Sequence, residues 1–100
     1  MSLKKGGGPK TLPVALTITG QGSSDKLDLV YHNRKTSEVT AMIEAGATMA
    51  AIIPYLVESW DTDFALTEEG VTEFEDEYPG MVAAVMAGFW RARNKAVEGN

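Results

Sequence analysis

The stretch VESWDTDFALTEEGVTEFEDEYPG, residues 57–80, holds nine of the chain's fourteen carboxylates and no Lys or Arg. Carboxylates gathered in this way could coordinate a divalent cation, work as a general acid and base, dock a basic partner, or line the wet side of a helix. Asp61 and Asp63 open like a calcium loop. The pattern then fails, because Ala65 takes the third acid position, Leu66 stands where the turn needs Gly, and Thr72 stands where Glu should close the loop. On a helix begun at Thr67, an advance of about 100° per residue gathers Val71, Phe74 and Tyr78 on one side and Glu69, Glu73, Asp76 and Glu77 on the other. Acids turned toward water have no cleft to raise a pKa, so a hydrolytic carboxylate pair is not expected. The plain reading is a solvated face, and its main rival is an electrostatic docking surface.

Other chemistry has few residues to draw on. The chain has no Cys and a single His, His32, on the polar phase of its segment. Thiolate nucleophiles, disulfides, Cys-based metal centres and a nucleophile–base pair are therefore not expected. GGGPK lacks the Lys-Ser/Thr pair of a phosphate loop and precedes a strand pattern instead of opening a helix. The reading is of a protein without cofactor, metal or catalytic residues, and not of an enzyme. With Lys4, Lys5 and Lys10 set aside in the leader, six basic residues face fourteen acidic ones, which argues against a nucleic-acid partner. No apolar run approaches the roughly 18 residues that span a bilayer, and the N-terminus lacks an apolar signal core. No membrane association is expected, and a cytoplasmic protein fits.

One hundred residues make a single domain. We expect a flexible leader over 1–11, one α+β domain over 12–97, and a tail over 98–100. The domain should be an N-terminal antiparallel β-hairpin packed on a bundle of about four short helices. After Pro13, Val14, Leu16 and Ile18 alternate with smaller or polar residues, and Leu27, Leu29 and Tyr31 alternate again after the loop GQGSSD. Two strands need a cover. Thr36 or Ser37 could cap a first helix carrying Val39, Met42 and Ile43, with Gly46 as its stop.

Met49, Ile52, Ile53, Leu56, Val57 and Trp60 continue at helical spacing, interrupted by Pro54, so a kink or a helix that begins only near Pro54 is expected. Thr67 caps the acidic helix, which Gly70 weakens. Pro79 ends it and can open the last helix, whose inner stripe is Val82, Val85, Met86 and Phe89. The opposite side of that helix, with Ala83, Ala84, Ala87 and Gly88, is small instead of polar. A helix apolar nearly all round is central to a core or half of an interface, which leaves room for a homo-oligomer.

The order of features resembles the small tail assembly chaperones of bacteriophages and prophages. The likeness runs over roughly residues 12 to 97, through PVALTI and KLDLVYH, the helical stretch SEVTAMIEAGATMAAIIPYLVESWD, the segment LTEEGVTEFEDEYPG, and the Ala-rich MVAAVMAGFWRARNKA. Its residues are Trp60 and Asp61, Thr67, then Tyr78, Pro79 and Gly80. Pro54 and Gly70 depart from the expected continuous helices. The resemblance implies a non-enzymatic factor of the bacterial host cytoplasm, absent from the mature virion. Its clients would be the tape measure protein, which it keeps soluble, and the tail tube protein. Our candidate client patch is Met81, Met86, Phe89 and Trp90, where flexible thioethers and an aromatic anchor could grip an apolar helix. The competing readings are that all four are core, and that the chain is a generic acidic adaptor or inhibitor docking a basic surface.

Overall fold

The computed structural model describes residues 3–94. The order is β1 (Thr11–Gly20), β2 (Ser23–His32), α1 (Thr36–Glu44), α2 (Met49–Leu56), β3 (Val57–Trp60), α3 (Glu68–Glu77) and α4 (Met81–Arg93). The expected α+β class, hairpin and four helices are all present. The expected tail over 98–100 lies outside the described residues.

β1 and β2 pair in register from Thr11↔His32 to Gly20↔Ser23. The two-residue turn has Gln21 at φ 52° and Gly22 at φ 77°, the left-handed pair that matches the twist of the flanking strands. Leu16 faces Leu27, Val14 faces Leu29 and Leu12 faces Tyr31, so the two alternating patterns share one apolar face. β1 starts at Thr11, two residues ahead of Pro13. Proline is tolerated there because β1 is an edge strand.

The stripe expected to run as helix to Trp60 breaks at Leu56. Val57–Trp60 is instead a third strand, antiparallel to β2, with a bulge between Val30 and Tyr31. Helical spacing and a short strand are indistinguishable over four residues, and the deciding partner, β2, is remote in sequence. Nor does α2 begin near Pro54. It begins at Met49, where the Thr48 hydroxyl accepts the Ala51 N–H at 3.2 Å, and it ends two residues beyond Pro54.

α1 is capped by neither Thr36 nor Ser37. Its first flanking residue is Lys35, whose N–H meets the Glu38 carboxylate at 3.4 Å, while the Thr36 hydroxyl accepts from Arg93 at 2.6 Å. Gly46 stops α1 as expected, with φ 85°, and the Gly46 and Ala47 N–H groups bond Ile43 and Met42 carbonyls. The core gathers Leu16, Leu27, Leu29 and Tyr31 from the hairpin with Val39, Ile52, Ile53, Leu56, Val57, Val71, Phe74, Met81, Val85 and Phe89. Burial of this size is what holds a hairpin that would be marginal alone.

Candidate functional site

Trp60 ends β3 and closes the loop that follows, since its indole N–H donates to the Phe64 carbonyl at 2.8 Å. Asp61 extends the sheet by donating its backbone N–H to the Asp28 carbonyl at 2.9 Å. Thr67 caps α3 as expected, accepting the Gly70 N–H at 3.0 Å. Phe64 stacks on Phe74 with centroids 4.4 Å apart, and Trp60 and Tyr78 meet Phe74 edge-on. Trp60, Thr67 and Tyr78 are thus brought together around the loop between β3 and α3. Four aromatic rings hold that loop in the geometry expected of edge-to-face and offset pairs.

Gly70 is required where it stands. A Cβ there would collide with the Ala65 backbone, carbonyl oxygen first, so the residue that weakens α3 by propensity is the one that lets the loop fold back on the helix. Pro79 does not open the last helix. Gly80 flanks it instead, with φ 101°, and α4 begins at Met81.

The acidic helix also does something that its composition did not reveal. The Glu75 carboxylate accepts the Gly80 N–H through Oε2 and the Val82 N–H through Oε1, both at 2.9 Å. Gly80 has no side chain with which to cap α4, so a carboxylate from the preceding helix supplies the acceptor and a favourable charge for the helix dipole. The available signal was a Gly at the start of a helix with an acid five residues earlier. Glu69, Glu73, Asp76 and Glu77 are exposed, as the helical phase indicated.

The four residues of the candidate client patch are divided by the structure. Met81 is 3% exposed and Phe89 is 0% exposed, so neither can meet a client while the domain stays closed. Met86 and Trp90 are half-buried. With Val82, also half-buried, they recur every four residues along one side of α4. The Trp90 ring packs edge-on against Phe89, with centroids 5.1 Å apart, and keeps part of its surface open. At the start of this side, Val82 and Ala83 line a groove of about 390 Å³ with Met49 and Ala50 of α2, and Glu75 and Asp76 of α3 flank it. Met49, expected at the head of the apolar stripe that runs toward Trp60, is 40% exposed. The groove, with Met86 and Trp90 continuing the same side of α4 beyond it, makes a shallow apolar seam with an acidic border.

The sequence matches the phage tail assembly chaperone family over residues 11–100. The chain belongs to that family. No curated relative and no solved structure matches it significantly. The aromatic knot at Trp60, Phe64, Phe74 and Tyr78 holds the loop that leads into α3. No helix among the described residues is long and apolar enough to cross a membrane.

Proposed function

We propose that this tail assembly chaperone binds an apolar helical segment of the tape measure protein, keeps it soluble, and assists the arrival of tail tube subunits. The client lies along the seam between α2 and α4, with Trp90 and Met86 as anchors and Met49 and Val82 at its other end. Family membership over residues 11–100 carries the assembly role. The half-buried line Val82, Met86 and Trp90 is what supports the seam as the surface used. An amphipathic helix would present its own anchors at intervals of three and four residues, matching that line. The exposed carboxylates of α3 keep an adhesive protein in solution by mutual repulsion.

Co-expression with the tape measure protein, followed by co-purification, tests the reading. Trp90→Ala and Met86→Ala should each reduce capture by about 10-fold or more, the range of an anchor residue, with the fold intact by circular dichroism. Unchanged capture by both variants would reject the seam. Capture that disappears between about 0.1 and 0.5 M salt would instead favour an acidic surface docking a basic partner, because apolar contacts are not screened.

A further inference from the structure

The two edges of the sheet are treated differently. β3 is four residues long, is broken by a register shift opposite Val30 and Tyr31 that leaves Glu58 unpaired, and carries a charge at Glu58, three devices that discourage pairing with another chain. β1, at the opposite edge, is ten residues long and has no charged residue from Thr11 to Gly20, in a chain of net charge −5. The two-residue turn makes Gly20 and Ser23 a hydrogen-bonded pair, and the 3.0 Å bond from the Asn33 N–H to the Lys10 carbonyl shows the same parity at the far end. Even-numbered residues of β1 therefore bond to β2. The peptide groups of Thr11, Pro13, Ala15, Thr17 and Thr19 point away from it, to the open edge.

We propose that this edge pairs antiparallel with the same edge of a second copy of the chain, with Thr17 facing Thr17 across a two-fold axis. The occupant follows from the charge pattern and from Pro13. A stretch without charge meets its own copy with no like-charge opposition, although the body of the protein is acidic. Pro13 offers no N–H, so any register that draws it into the new ladder leaves a carbonyl on the other strand without a donor. Centring the pairing on Thr17 matches Ala15 with Thr19 in both directions, keeps Pro13 outside, and forms on the order of six backbone hydrogen bonds. The result is one continuous six-stranded sheet. This inference does not depend on the client or on the seam.

Sedimentation velocity of the full chain over a concentration series should show a reversible dimer in the micromolar range. Thr17→Pro removes only an outward N–H, at a position of the same parity as Pro13, and should give a monomer with an unchanged circular dichroism spectrum. Because the chain has no cysteine, single Cys variants report the register directly. Under copper–phenanthroline oxidation, Thr17→Cys should crosslink to a covalent dimer, since paired Cα atoms sit about 5.5 Å apart. Ala15→Cys should not, being about 14 Å from its mate. A wild-type monomer at all concentrations, a Thr17→Pro dimer as tight as wild type, or equal crosslinking by the two Cys variants would overturn the proposal. Should Thr17→Pro fail to fold, the Cys pair decides alone.

Discussion

A Cβ on Gly88 would lie 2.6 Å from the Tyr31 hydroxyl and 2.8 Å from a Leu16 methyl, so α4 crosses the sheet closely enough that any larger residue must displace these buried side chains. At that crossing the Tyr31 hydroxyl donates a 2.8 Å hydrogen bond to the Val85 carbonyl, one turn before Gly88. The ring itself is completely buried and packs edge-on against Phe89, with centroids 5.6 Å apart. A strand residue and a helix remote in sequence are locked by one polar contact inside an apolar core.

Gly88→Ala should therefore destabilise the domain, although alanine is the better helix former by about 1 kcal/mol. Overpacking of this kind costs about 1–3 kcal/mol, and denaturant unfolding should show it as a lower midpoint at unchanged slope. Ala87→Gly, on the exposed side of the same turn, should lose only about 1 kcal/mol through propensity. Equal stability of Gly88→Ala and wild type would mean that the crossing is looser than described.

Tyr31→Phe removes the bond to Val85 and should cost about 1–2 kcal/mol at neutral pH. Its pH profile carries a second signature. Burial, offset in part by the Arg91 charge, pushes the Tyr31 hydroxyl well above its ordinary value of 10.0. Below that value both states hold the proton and the contribution is complete. Above it the unfolded chain ionises first, so stability falls as pH rises, by up to about 1.4 kcal/mol per unit until the folded state also titrates. Urea unfolding at pH 9 to 11 should show the wild type converging on Tyr31→Phe.

Glu75→Ala should weaken the start of α4 by about 0.5–2 kcal/mol, since two helix N–H groups lose their acceptor. Glu73→Ala, an exposed neighbour with no such role, should change stability by less than about 0.5 kcal/mol. Amide hydrogen exchange would locate the effect: Gly80 and Val82 should exchange faster in Glu75→Ala alone. Uniform protection in both variants would remove the capping role.

Gly70→Ala is expected to cost about 3 kcal/mol or more, because the added methyl meets the Ala65 backbone and neither side can swing away. Far-UV spectra and thermal melts should show a destabilised fold instead of the gain that helix propensity alone would give.

Phe89→Ala should cost about 3–5 kcal/mol, the range for a large core truncation and a large share of the stability of a domain of this size, and should markedly lower the thermal midpoint. Trp90→Ala, next to it on α4, should leave a cooperative thermal transition. The contrast separates the core half of the original patch from the half that a client can reach.

Periodicity was enough for the hairpin and its shared face, because alternation of Val14, Leu16 and Ile18 against Leu27, Leu29 and Tyr31 is a local pattern with a local turn. Capping chemistry was enough for Thr67 and for the stop at Gly46. The same local signals misplaced Val57–Trp60, where the apolar spacing of a helix and of a four-residue strand coincide. They also could not divide Met81 and Phe89 from Met86 and Trp90, since a helix apolar on several sides does not say which side its neighbours cover.

By itself the sequence determined the class of fold, the acidic outer face of α3 and the likeness to a family of assembly chaperones. Each rests on residue types, spacing or order along the chain. Only the tertiary structure decided that Gly70 and Gly88 are positions of close approach, that Glu75 caps a helix from outside it, and that β1 leaves an edge unpaired among the described residues. Those facts depend on which backbone lies within a few ångströms of which residue, a distance set by how remote segments pack together.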